Sequence, residues 1–216
     1  MLKLYYAPGA CSTASHIGLE ESGATYDSQA LSFASSEQKT PEYLKINPRG
    51  RVPALVVDEG TIVENTAILD YVATKYASAL MPSDPVQRAR AISLMAWFSN
   101  NVHPAFTHIG RPERFADDTS IFDKLREKGR SNFWAALQEI DGLIGSKPWI
   151  LGDQFSVVDG YALVFYGWES ASACRSRNSR TTPPGRTACW PVRRCGVCWS
   201  ARRTCWSPAS RACECA

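Results

Sequence analysis

The sequence predicts two successive architectures: an α/β domain on a small mixed sheet, then an all-α domain. Three observations carry this reading. Short apolar runs bounded by Gly and Pro alternate with helical patterns as far as residue 76. Residues 77–85 then break the pattern with Pro82 and Pro85. Beyond them only helical periodicity is found, up to about residue 168.

The elements follow in order. Leu2 to Tyr6 is apolar and aromatic and predicts a buried strand, broken by Pro8-Gly9-Ala10. Ala14, Ile17 and Gly18 share a face of a helix from Ser12 to Glu21, which Gly23 ends. Thr25 to Leu31 predicts a second strand. Pro41 to Ile46 predicts a short helix with Pro at its start, and Asn47-Pro48-Arg49-Gly50 a turn. Pro53 to Val57 and Thr61 to Val63 flank Asp58-Glu59-Gly60 as a hairpin. Asn65 is expected to cap a helix reaching Tyr76. The βαβ unit requires parallel strands and a right-handed crossover, and the hairpin adds an antiparallel edge. The sum is a four-stranded mixed sheet of thioredoxin-like type.

In the second part, helices are expected over Val86–His103, Ile121–Ile144 and from Ser156 onward. Ser156-Val157-Val158-Asp159 fits a short form of the capping box. The expected domains are 1–77, 86–169 and an aberrant, disordered tail over 170–216.

With 44% hydrophobic and 21% charged residues, the composition is that of a globular protein with a real core. No apolar run of membrane-spanning length occurs, and the start lacks signal-peptide features, so a cytoplasmic protein is expected. The tail differs. Residues 170–216 hold nine Arg, no Lys and Glu214 as the sole acid, and seven of the eight Cys. An out-of-frame reading of a GC-rich gene would produce this bias toward Arg, Pro, Ser, Cys and Trp. Cys195-x-x-Cys198 and Cys213-x-Cys215 raise zinc as an alternative, but the spacing fits no zinc module. The arginines and tryptophans follow no stripe, so neither metal nor nucleic acid is expected as a partner.

Four places can carry chemistry. Cys11 opens a helix, where unpaired N–H groups and the helix dipole favour a thiolate; a small buried apolar role suits the position equally. Val52-Pro53 precedes a strand, and Pro cannot donate to its ladder. A cis peptide there would expose the Val52 backbone to a ligand. Glu64-Asn65 combines backbone donors for a carboxylate with a side chain for an ammonium group, as a zwitterionic head group requires. Plain helix capping is the alternative. His103, before Pro104, is expected near a helix C-terminus, and His108 has a weaker claim.

Together these segments resemble a known family. Tyr6-Ala7-Pro8-Gly9-Ala10-Cys11-Ser12-Thr13-Ala14-Ser15-His16-Ile17 is similar to the opening of bacterial beta-class glutathione transferases. Asn47-Pro48-Arg49-Gly50-Arg51-Val52-Pro53-Ala54-Leu55 and Glu64-Asn65-Thr66-Ala67-Ile68-Leu69 resemble the other glutathione-site segments. Leu151 to Asp159 resembles the capping-box segment of the helical domain. The likeness spans residues 1 to about 168. It implies the glutathione transferase fold, with an aberrant C-terminal end. It also implies glutathione as substrate, a small apolar electrophile as second substrate, and a homodimer.

By this resemblance Cys11 faces the glutathione sulfur, through a hydrogen bond or a mixed disulfide, and His103 reaches the site from the helical domain. Val52, beside a cis Pro53, pairs with the cysteinyl backbone. Glu64 and Asn65 hold the γ-glutamyl end, with Asn65 replacing the usual Ser or Gly. Gln38, Lys39 and Arg51 are the candidates for the glycine carboxylate. A glutathione-fold binding or regulatory protein without turnover is the alternative function. The aberrant tail would weaken both activity and dimer assembly.

Overall fold

The computed structural model describes residues 1–173, and the expectations for the chain beyond Ala173 lie outside them. The sheet contains β1 (Lys3–Tyr6), β2 (Asp27–Ala30), β3 (Ala54–Val57) and β4 (Gly60–Val63) in the order β2-β1-β3-β4. β1 runs parallel to β2 and antiparallel to β3, which pairs antiparallel with β4. This is the mixed topology expected. β2 is shorter than the Thr25–Leu31 run, because it is an edge strand whose four residues are all exposed.

Helices α1 (Thr13–Ser22) and α3 (Asn65–Tyr76) cover one face of the sheet. There Leu4, Leu19, Leu55, Ile68 and Val72 are all fully buried. On the other face Tyr43 of α2 (Pro41–Ile46) packs with Ala7, Leu31, Val52 and Ala54. Gly23 closes α1 in the left-handed region at φ 70°, a conformation Gly reaches without a Cβ clash.

The helical part comprises α4 (Pro85–Trp97), α5 (His103–Gly110), α6 (Phe122–Ile144) and α7 (Val157–Ala173). Here the expected end at His103 is corrected. The helix continues past Pro104 through a π-helical turn, Phe98–Val102. In this wider turn the His103 N–H reaches the carbonyl of Phe98, five residues back. The missing N–H of Pro104 then falls at the start of α5, where proline is tolerated. His103 therefore sits inside a continuous helical path rather than at a C-terminus. His108 Nδ1 lies 2.7 Å from the Pro104 carbonyl, which can only accept, so this nitrogen carries the proton.

The helical core joins Met95, Phe98, Ile140, Tyr161 and Phe165, and it extends to Ala14 and Leu69 of the sheet domain. Helix α7 packs on α1, where Gly160 lies against Ile17. Helices α5 and α6 approach so closely at Gly129 that an added Cβ would lie 2.9 Å from both the Ala105 carbonyl oxygen and His108 Cβ. One of those neighbours is backbone and cannot rotate away. Gly129→Ala is expected to lower stability by about 1–3 kcal/mol, the scale of core overpacking. Urea unfolding checks this, and an unchanged or raised midpoint would contradict it.

Candidate functional site

The site forms where the β1–α1 turn meets the Val52-Pro53 segment and the start of α3. Ser12 anchors the turn from within. Its hydroxyl accepts from the Ala7 N–H at 3.0 Å and lies 3.3 Å from the Ala7 carbonyl. This fixes the path of the chain on either side of Cys11. The Val52–Pro53 peptide is cis, as anticipated. The Cys11 thiol points at the Val52 carbonyl, with Sγ to O at 3.6 Å. The Arg51 carbonyl accepts from Tyr43 Oη at 2.6 Å and from Asn47 Nδ2 at 2.7 Å, which pins the backbone just before Val52.

The expectation that Asn65 caps α3 is corrected. Glu64 holds the cap position with φ at 72°, and no side chain caps the helix. The buried Asn65 side chain turns inward instead. Its Oδ1 accepts from Ser15 Oγ at 2.7 Å, and its Nδ2 donates to the Cys11 carbonyl at 3.0 Å. It ties the start of α3 to α1 and to the Cys11 turn, leaving only its backbone free for a ligand. The left-handed φ of a non-glycine residue at Glu64 is costly and is retained mainly at ligand sites. The Glu64 carboxylate is exposed and meets Arg49 at 3.5 Å. Thr66 Oγ1, two residues further on, is buried without a partner.

The expected activation of Cys11 is corrected as well. Burial above all, with the negative charge of Glu64, pushes its thiol from 9.0 up to about 11. Hydrogen bonding from Asn65 and from nearby backbone opposes the shift without reversing it. Cys11 stands two residues before α1. The first N–H groups of the helix are already spent: Thr13 donates to Ala10 and Ala14 donates to Cys11, each at 3.1 Å. Those two groups are therefore not available to the sulfur, whose backbone hydrogen bonds come from the Ser12 and Cys11 N–H groups.

From the helical side come His103 and Trp168. Trp168 Nε1 donates to the Gly9 carbonyl at 2.8 Å, its ring stacks on Phe106 at 4.5 Å, and it meets His103 at 5.0 Å. Burial above all, with the charges of Arg114 and Arg51, lowers His103 to about 4, so the ring is neutral at pH 7. Lys39 lies against Gly50, whose added Cβ would stand 2.9 Å from Lys39 Nζ. Gln38 Oε1 next to it is buried without a partner.

The structure therefore joins Cys11, Val52, Pro53, Glu64 and Asn65, and links His103 to them through Trp168. Sequence reasoning missed Ser15, Trp168 and Arg114. Only Trp168 left a trace, as the last member of the apolar series Tyr161, Phe165, Trp168 at helical spacing. Among the described residues, no group of three or more His, Cys, Asp or Glu is arranged to hold a metal ion. No helix among them is long and apolar enough to cross a membrane.

A thioredoxin-like sheet domain, joined to a helical domain and carrying a cysteine before α1 and a cis proline before β3, defines a class of thiol-handling proteins. Residues 1–74 match the glutathione S-transferase N-terminal domain model. The chain is 31% identical to glutathione S-transferase GstA of Escherichia coli O157:H7 over 174 residues, covering 79% of this chain and 83% of that protein. It is 30% identical to glutathione S-transferase GST-4.5 of Xanthomonas campestris, covering 77% and 82%. A glutathione transferase homologue from Sulfitobacter, solved with bound glutathione, superposes with a TM-score of 0.74 at 35% identity, covering 79% of this chain and 83% of that one. The chain belongs to the glutathione S-transferase family.

Proposed function

We propose that this chain is a glutathione transferase that holds glutathione along Val52, Glu64 and the start of α3. There it joins the glutathione sulfur to a small, mostly apolar electrophile. The observation that carries this is the convergence of three separate segments, the Cys11 turn, Val52-Pro53 and the start of α3, around Cys11. In this reading Val52 and the cis Pro53 offer backbone groups to the cysteinyl part. The N–H groups that open α3, at Asn65 and beyond, receive the γ-glutamyl carboxylate, and the Glu64 carboxylate exchanges Arg49 for the γ-glutamyl ammonium group, from which it accepts. Lys39 and Arg51 receive the glycine carboxylate.

Cys11 stays protonated and donates a hydrogen bond to the glutathione sulfur. The glutathione sulfur forms the new bond to carbon, the leaving group departs with the electron pair, and the thiol proton is released. Neutral His103 can accept a proton from that sulfur or from a water beside it. Holding both reactants supplies much of the rate. Residues 1–77 form the glutathione domain and residues 86–169 the helical domain. The protein is cytoplasmic and works as a homodimer pairing unlike domains of two subunits. Retention on immobilised glutathione, followed by turnover of 1-chloro-2,4-dinitrobenzene, tests the reading. Retention without turnover would make the chain a binding protein.

Glu64→Gln is expected to weaken glutathione by about 1.5–3 kcal/mol, the scale of one charge-assisted hydrogen bond. Folding should change little, because the side chain is exposed. Calorimetric titration reads the affinity, and an unchanged value would remove Glu64 from the head-group site.

A further inference from the structure

Three arginines act electrostatically on one another or on the thiol site. Among the described residues, none of Arg51, Arg111 and Arg114 forms a salt bridge. They arrive from both domains. Arg51 precedes Val52, whose carbonyl faces Cys11 Sγ. Arg111 and Arg114 bound the short helical turn after α5, where the Arg114 N–H donates to the Arg111 carbonyl at 3.1 Å. The Arg111 guanidinium stands 5.5 Å over the ring of Phe33, which follows β2, so this turn reaches across to the sheet domain. Arg114 acts electrostatically on His103 and on Cys11, and it feels Arg111 and Arg51. Of the acids nearby, Glu113 acts on Arg114 from outside salt-bridge distance, and Glu64 is engaged with Arg49.

The charge count exceeds what glutathione needs. In the reading above, its γ-glutamyl carboxylate goes to the start of α3 and its glycine carboxylate to Lys39 and Arg51. Arg111 and Arg114 are left over, on the turn after α5 whose Arg114 acts on His103 and Cys11. Beside them stand apolar rings: Phe33 and Phe115, each more than a third exposed, and Trp168 against His103. Like charges held together repel, and an anion relieves that repulsion while forming charge-assisted hydrogen bonds.

We propose that Arg111 and Arg114 select an anionic electrophile, an apolar or aromatic body carrying a carboxylate. This rests on glutathione occupying the Cys11 site. Two conjugates alike in shape test it: S-(4-carboxy-2-nitrophenyl)glutathione, which adds one carboxylate, and S-(2,4-dinitrophenyl)glutathione, which carries a neutral nitro group there. Both are titrated calorimetrically into the full chain, with S-methylglutathione as the probe of the glutathione part alone. The carboxylate conjugate is expected to bind tighter by about tenfold or more. Arg111→Ala combined with Arg114→Ala should abolish that advantage and leave S-methylglutathione affinity unchanged. Arg114→Lys should restore part of it. Equal affinity of the two conjugates, or an advantage that survives the double substitution, would overturn the proposal. Failure of S-methylglutathione to bind at all would overturn the glutathione reading and this inference with it.

Discussion

In the free protein, Cys11 should alkylate slowly at neutral pH and titrate near 11. Two influences decide this. Burial removes water from a charge that the thiolate would have to carry, and the Glu64 carboxylate repels the same charge. The opposing hydrogen bonds from Asn65 and the backbone are too few to compensate. A shift from 9.0 to about 11 reduces the thiolate fraction at pH 7.4 about a hundredfold. Iodoacetamide rates should therefore stay low through neutral pH and rise only above about pH 10. The seven cysteines beyond residue 173 will react as well, so the rate must be read from the Cys11 peptide by mass spectrometry. An apparent value at or below 8.5 would contradict the proposed hydrogen-bond donor and reopen a mixed-disulfide role. Cys11→Ser keeps a donor of similar size and should retain more activity than Cys11→Ala.

A cysteine ahead of a helix was legible, and so was the helix. Whether its first N–H groups remained free was not, because that depends on how the Ala10-Cys11-Ser12 turn folds back on itself. The same holds for Asn65. A residue type common at helix caps was expected to cap, but its amide found Ser15 and Cys11, fifty and fifty-four positions away. Strands, the hairpin and the Gly23 stop were legible because they rest on local alternation and on glycine's freedom. Pro104 misled for the opposite reason. A local helix-breaking signal was absorbed by a widened turn, held by the packing of Phe98 and Val102 in the core. Arg111 and Arg114 carried no signal, since single basic residues in a loop gain meaning only from what faces them.

The largest loss of stability is expected at Asp159. This carboxylate is fully buried and accepts three hydrogen bonds. Oδ1 takes the Ile150 N–H at 2.8 Å, and Oδ2 takes the Ser156 N–H at 2.9 Å and the Ser156 hydroxyl at 2.6 Å. The geometry is half a capping box. Asp159 reaches back to the Ser156 N–H, while the serine hydroxyl donates to the carboxylate rather than accepting from the helix. One side chain thus fastens the Ile150 loop to the start of α7. Asp159→Ala leaves three buried donors unsatisfied, at about 1–3 kcal/mol each before relaxation, so a net loss of about 3–5 kcal/mol is expected. That is a large part of the 5–15 kcal/mol that typically holds a domain together. Ser156→Ala removes one donor and leaves the carboxylate two, so about 1 kcal/mol is expected. Helix α7 also carries Trp168 to the Gly9 carbonyl, so loosening it releases the turn that holds Cys11. Urea unfolding followed by tryptophan fluorescence should show Asp159→Ala far below the parent and Ser156→Ala between them. An Asp159→Ala loss under 1 kcal/mol, or one no larger than that of Ser156→Ala, would show that the carboxylate does not anchor α7.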